Sequence, residues 1–181
     1  MKLVTVLVCC HNGADTLAKA LDSAVRQSLP PGEYEVLVVD DGSTDGTAEV
    51  LQEYVRSFAN VQGLKNQQNL GLVASCNRGL AEAAGEYFIR LDADDTFTES
   101  ILESLAKPLT REETDFAYCD RYEVSSQDGQ MRHVRVDPFN IYNLIAIGTM
   151  LRTRLVREVG GYRPLFWEEF DLYIRYLLKS G

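Results

Sequence analysis

The chain has 181 residues, 45% of them apolar and 25% charged, with a formal net charge of -9. That length and composition fit one soluble globular domain with a real core. The acidic balance and the lack of any Lys/Arg-rich run argue against nucleic acid or an anionic membrane surface as partner, since both demand a basic patch.

Leu3 to Cys10 is a continuous β-branched and apolar run, so it reads as a strand buried on both faces, as in a parallel sheet. The start, Met-Lys-Leu-Val-Thr-Val-Leu-Val, faintly resembles a signal peptide. The apolar run is short, however, and His11-Asn12-Gly13 with Asp15 follows where a small-residue cleavage site would stand. Ala14, Leu17, Ala18, Leu21, Ala24, Val25 and Ser28 keep helical spacing, with Pro30-Pro31-Gly32 as the stop. Tyr34 to Val39 is a second buried strand. It leads into Asp40-Asp41-Gly42-Ser43-Thr44-Asp45-Gly46-Thr47 and a helix carrying Ala48, Leu51, Tyr54, Val55 and Phe58. Val61 to Leu64 is a short third strand. Asn69-Leu70-Gly71 opens a third helix through Leu72, Val73, Cys76, Leu80, Ala83 and Ala84, which Gly85 would close at its C′ position. Tyr87 to Leu91 is the fourth strand.

Beyond Asp95 the pattern changes. Thr98 to Lys107 reads as a helix ended by Pro108. Phe116 to Ser125 and Met131 to Val136 flank Asp128-Gly129, a hairpin signal. Pro138 to Ile147 shows no clear period and allows a short helix. Gly148 to Arg152 fits a strand, Thr153 to Val159 a short helix capped by Gly160-Gly161, and Glu168 to Lys179 a last helix that offers Leu172, Ile174, Tyr176 and Leu177 for burial. No apolar stretch approaches the ~20 residues of a membrane span. The cysteines at 9, 10, 76 and 119 form no CxxC pair. They read as small buried apolar residues in a reducing compartment, not as a zinc site or disulfide framework.

Repeated alternation of strand and helix argues for an α/β domain with a largely parallel sheet and right-handed crossovers. In such sheets ligands sit beyond the carboxyl ends of the strands. The polar clusters fall there: His11-Asn12, Asp40-Asp41 and Asp92 to Asp95. Carboxylates this crowded repel one another, by roughly 4 kcal/mol for a pair ~4 Å apart at an effective dielectric of 20. A divalent cation with oxygen ligands, Mg²⁺ or Mn²⁺, relieves that repulsion and is often completed by substrate phosphates. Equally, Asp94 or Asp95 could cap the helix expected near Glu99. An EF-hand is excluded, because Phe97 stands where its loop needs Gly.

Four segments, taken together and in order, resemble the family 2 glycosyltransferases of the GT-A fold. Val39 to Thr47 is similar to the VDDGSTDGT motif of that family. Asn69-Leu70-Gly71 with Ala74, Asn77 and Gly79 resembles its N-x-G…A-x-N-x-G helix start. Leu91 to Asp95 is similar to its LDADD form of the DxD motif. Gly160-Gly161-Tyr162, followed by Glu168-Glu169-Phe170-Asp171-Leu172 and Arg175, resembles its GGF…EDxDLxxR segment. The resemblance spans nearly the whole chain. It implies a single domain whose nucleotide-binding half (1–95) holds a Rossmann-like, mostly parallel sheet. A smaller mixed or antiparallel acceptor and catalytic half (96–181) follows.

The activity so implied is transfer of a sugar from a nucleotide-sugar, commonly a UDP-sugar, to an acceptor hydroxyl with inversion. The acceptor would be a saccharide, a lipid-linked molecule or a protein. Mn²⁺ or Mg²⁺ would neutralise charge on the departing diphosphate. By the resemblance, Asp95 is the direct metal ligand, and Asp94 or Asp92 serves the ribose or a metal-bound water. Asp41 would read the uracil imide, with Asp40, Asn12 and Asn69 also at the nucleotide. Cys9 and His11 would flank the nucleobase, although a solvated loop residue is as good a description of His11. The family's base is the Asp of a Glu-Asp pair, and here that position is Glu169. A Glu reaches about one methylene further, and a misplacement of ~1 Å can cost on the order of a hundredfold in rate. So the base is Glu169, or else Glu168 or Asp171. An acidic first helical turn is also what the helix dipole alone would favour.

The chain stops soon after that helix. A minimal enzyme and a core lacking an acceptor-side tail both fit, as do a cytoplasmic or membrane-peripheral setting and a homodimer. A sugar-phosphate nucleotidyltransferase would want a Gly-rich loop and a Lys after the first strand, a dinucleotide oxidoreductase G-x-G-x-x-G there, and a receiver domain its paired acids there. None is present. A non-catalytic nucleotide-sugar-binding module is the rival that survives.

Overall fold

The computed structural model describes residues 2–112, 114–137, 148–165 and 167–180. The segment 138–147, for which a short helix was considered, lies outside the described residues. In chain order the elements are β1 (Lys2–Cys10), α1 (Leu17–Val25), β2 (Tyr34–Asp40), α2 (Thr47–Ser57), β3 (Val61–Lys65), α3 (Leu72–Glu82), β4 (Gly85–Arg90), α4 (Ile101–Thr110), β5 (Phe116–Tyr118), β6 (Arg121–Val124), β7 (Met131–Val134), β8 (Thr149–Arg152), α5 (Thr153–Glu158) and α6 (Glu168–Ser180).

Among the described residues the main sheet runs in the order β3-β2-β1-β4-β8-β5. The first four strands are parallel, and β8 is antiparallel to both β4 and β5. This is the expected α/β architecture, a mostly parallel sheet with an antiparallel margin. Side chains alternate across each strand. Val4, Val6, Val8, Val36 and Val38 therefore pack with Leu17, Leu21, Leu51 and Leu102 on one face. Leu7, Leu37 and Val39 pack with Cys76, Leu80, Val156 and Tyr176 on the other. Burial on both faces is what made the strands read as unbroken apolar runs. Among the described residues no helix is long and apolar enough to cross a membrane.

Several expectations are corrected. Gly85 does not cap α3. It opens β4, where any side chain would collide with the β1 backbone at Val4 and Thr5. Helix α4 starts at Ile101, after Ser100, so neither Asp94 nor Asp95 caps it. Nor does Pro108 end it. Buried Leu105, Ala106 and Leu109 hold the last turn on the core although one helical hydrogen bond is missing. Helix α1 ends at Val25, well before the prolines. The run Phe116 to Ser125 is two strands, since Asp120 breaks away to accept the Val136 N–H at 2.9 Å. β5 then joins the main sheet, while β6 pairs with β7 as the expected hairpin. In α6 the buried residues are Leu172, Tyr173 and Tyr176, and Ile174 faces outward.

Candidate active site at the strand tips

Because β2, β1 and β4 are neighbours, their three polar tips lie side by side. The Asp41 N–H donates to the Cys10 carbonyl at 2.8 Å, and the Leu91 N–H to that of Leu7 at 2.9 Å. The β1 tip is stitched to the loop after β2. The Asn12 N–H donates to Ser43 Oγ and Asn12 Oδ1 accepts the Thr44 N–H, each at 2.9 Å. His11 Nδ1 lies 2.9 Å from the Asp41 carbonyl oxygen. Both His11 and Asn12 are exposed, Asn12 with φ of 52°. Cys9 meets Cys76 of α3 at 3.7 Å between sulfurs. Both are free thiols, and hydrogen bonding to Cys76 together with burial raises the Cys9 thiol far above its usual range.

The two aspartates at the β2 tip face opposite ways. Asp40 is buried with the α2 side of the sheet, accepts the Ser43 N–H at 2.9 Å and has Lys65 Nζ 3.6 Å away. Asp41 faces α3. Its Oδ1 accepts Asn66 Nδ2 at 2.6 Å and the Leu70 N–H at 2.9 Å, and its Oδ2 accepts the Gly71 N–H at 2.8 Å. Burial alone would raise this carboxyl, but the donors from Asn66, Leu70, Ser75 and Gly71 hold it below the ordinary range. Asn69 Oδ1 also accepts the Gly71 N–H, at 2.9 Å. Arg78, exposed on α3, donates to Asn66 Oδ1 and to the Lys65 carbonyl.

The acids after β4 are fanned out. Asp92 pairs with Arg90 Nε at 3.0 Å, Asp94 is exposed, and Asp95 is half-buried with its N–H on the Asp92 carbonyl at 3.1 Å. Burial and the charges of Asp92 and Asp94 raise the Asp95 carboxyl. Among the described residues no three His, Cys, Asp or Glu side chains form a ready cation cage. An oxygen-only pair with an unfavourable surplus of negative charge still fits a Mg²⁺-type ion, which takes one or two carboxylates and fills its other positions with water and phosphate.

Helix α6 starts beside these tips. Glu169 contacts Arg90 Nη2, and Glu168 lies 3.9 Å from Arg90 Nη1. Burial pushes the Glu169 carboxyl up to about 7, against the pull of Arg90 and with the push of Asp92 and Glu168. Asp171 is occupied otherwise. It accepts Arg175 Nε at 2.8 Å and Nη2 at 2.5 Å, with Arg163 at 3.9 Å. Arg175 also donates to the carbonyls of Val159 and Gly161. Asn77 completes the clamp, donating to the Tyr162 carbonyl and accepting the Tyr162 N–H, both at 2.8 Å. The turn requires glycine, with φ of 85° at Gly160 and 63° at Gly161.

Sequence reasoning missed Arg90, Asn66 and Arg78. Arg90 could have been found, because a lone cation in the otherwise apolar strand Tyr87-Phe88-Ile89 must be paired if buried.

A strand-tip site of this kind on a sheet of this order defines the GT-A fold. The Glycosyl transferase family 2 model matches residues 5–178, and the chain belongs to that family. It is 33% identical over 141 residues to a cholesterol galactosyltransferase of Borreliella burgdorferi, covering 78% of this chain and 38% of that protein. To the glycosyltransferase GlyA of Streptococcus pneumoniae it is 30% identical over 147 residues, covering 80% and 21%. The chain thus spans well under half the length of these two relatives. Among solved structures, S. aureus TarS with UDP-GlcNAc superposes with a TM-score of 0.81 at 23% identity, over 98% of this chain and 54% of that one. The mannosyltransferase PcManGT of Pyrobaculum calidifontis, with GDP-Man and Mn²⁺, gives 0.77 at 20%, over 98% and 52%.

Proposed function

We propose that this chain is the catalytic domain of an inverting glycosyltransferase that moves a sugar from a UDP-sugar to an acceptor hydroxyl of a saccharide, a lipid-linked molecule or a protein, in the cytoplasm or at a membrane surface. The single observation that carries this reading is Glu169, a half-buried carboxyl poised near neutrality and linked through Arg90 to Asp92. General bases work best with a pKa near the operating pH. Family membership supports the chemistry, and the UDP-GlcNAc bound to TarS supports the choice of nucleotide.

In the proposed reaction the acceptor oxygen attacks the anomeric carbon, the bond from that carbon to the diphosphate oxygen breaks, and the acceptor's proton passes to Glu169. Asp41 would take the uracil imide N–H, beside Cys9, His11 and Asn69. Asp40 and Asn12 would brace the loop that Asp41 begins. Asp92 would meet the ribose, with Asp94 and Asp95 holding Mn²⁺ or Mg²⁺. That ion would supply charge neutralisation to the departing diphosphate.

The test is UDP or GDP release from a panel of UDP- and GDP-sugars with Mn²⁺, for the wild type and Glu169→Gln. An enzyme loses on the order of 10²–10⁴-fold in turnover with UDP affinity kept. Binding of UDP by the wild type without any turnover would instead mark a non-catalytic nucleotide-sugar-binding module.

A further inference from the structure

Arg90 is the only link among the described residues between the acids after β4 and those that open α6. Its Nε reaches Asp92 Oδ1 at 3.0 Å, its Nη2 contacts Glu169, and its side chain is largely enclosed. Nη1 is buried and has no hydrogen-bond partner. Its nearest carboxylate oxygen, Oε1 of Glu168, is 3.9 Å away. A structural ion pair in a protein interior is normally saturated with hydrogen bonds. This fork is divided between two carboxylates that belong to different parts of the proposed reaction, and one edge is left unfilled.

We propose that Arg90 is a positioning residue whose guanidinium holds the Glu169 carboxylate at a fixed place relative to Asp92. The inference rests on the reading of Glu169 as the base. A Glu has one more rotatable bond to be fixed than an Asp would have. A planar fork can hold two carboxylates in a set geometry, whereas an ammonium is a point charge on a flexible stem. The groups facing Glu169 are Arg90 from β4, Asp92 from the loop beyond it, Glu168 from its own helix, and Tyr162 from the turn after α5. Arg90 is the sole cation among them, so it opposes burial, Asp92 and Glu168 together.

The experiment compares the wild type, Arg90→Lys and Arg90→Gln in the full chain. Two quantities are read: the Glu169 side-chain carboxyl by ¹³C NMR across pH without metal, and steady-state UDP release from the best UDP-sugar with Mn²⁺. Arg90→Gln is expected to move the Glu169 midpoint upward by at least one pH unit. Arg90→Lys is expected to keep that midpoint within about half a unit and yet to lower kcat by tenfold to a hundredfold, with KM for the donor within about threefold. A midpoint unmoved in Arg90→Gln overturns the proposal, as does wild-type kcat in Arg90→Lys. Should Arg90→Gln fail to fold, the split between kcat and KM in Arg90→Lys decides alone. A wild type that releases no UDP from any sugar overturns the transferase reading instead, and the NMR midpoints still decide whether Arg90 holds Glu169.

Discussion

The tip of β2 and the start of α6 each bury a carboxylate, and they treat it in opposite ways. Asp41 is ringed by N–H donors from Asn66, Leu70 and Gly71, which hold its carboxyl below the ordinary range. Glu169 has a single cation, Arg90, set against burial and two other acids, and its carboxyl rises to about 7. Carboxyls whose environments drive their proton affinities apart have different tasks. The first is held in its charged form, which suits a fixed acceptor that also anchors a loop. The second exchanges a proton near neutrality, which suits a base.

The largest effect is expected from breaking the Asp41 side. Asp41→Ala strips the acceptor from the Asn66, Leu70 and Gly71 donors and frees the entry to α3. Buried donors left unpaired cost about 1–3 kcal/mol each, less where water reaches them, so a net loss of about 3 kcal/mol is expected in urea unfolding. UDP binding should fall with it. A stability change under 1 kcal/mol would show that the loop is held by something else.

On the other side, Glu169→Asp keeps the carboxyl but shortens the reach to Arg90 by one methylene. If the Glu is set by Arg90, UDP release should drop by about tenfold to a hundredfold. Equal or better turnover would mean that the backbone of α6 already suits an Asp and that the extra methylene is incidental.

The two carboxyls also predict opposite pH trends in stability. The lowered Asp41 contributes stability that is present above its unfolded value and lost as pH falls through the folded one. Glu169 works in reverse. Below 4.5 it is protonated in both folded and unfolded chains. Between 4.5 and about 7 the unfolded chain has released a proton that the folded chain keeps, so stability declines as pH rises. Comparing the wild type with Glu169→Gln isolates this term. The variant should gain about 2 kcal/mol relative to the wild type between pH 5 and pH 7 in urea titrations. Parallel curves would show that Glu169 titrates as it does in water.

Much of this contrast was legible in the chain itself, and the part that was not has a physical cause. Strands β1 and β2 announced themselves because both faces are buried, and the doubled acids marked the tips because unpaired charge rarely ends a strand without a use. The split between Asp40 and Asp41 was also readable, since successive residues of a strand face opposite sides. That Arg90 needs a partner was readable too, but which partner was not. Its meaning comes from tertiary contact between β4 and a helix far along the chain, and no local period carries that information. The break between β5 and β6 was hidden for the same reason, because it depends on Asp120 accepting the distant Val136 N–H. Pro108 misled in the opposite sense, as local chemistry forecast a helix end that packing of Leu109 overrode.

The smallest effect sharpens the choice among the acids that open α6. Asp171 carries the same charge as Glu169 and lies on the same helical turn, so sequence alone cannot separate them. The structure does, because both Arg175 bonds fall on Asp171 Oδ2 while Arg175 also secures the carbonyls of Val159 and Gly161. Asp171→Asn keeps an oxygen acceptor and loses only the charge assistance. It should cost about 1 kcal/mol in unfolding and leave UDP release within about threefold of wild type. A collapse of turnover at unchanged stability would transfer the base from Glu169 to Asp171, and the contrast with Asp41 would have to be redrawn around that residue.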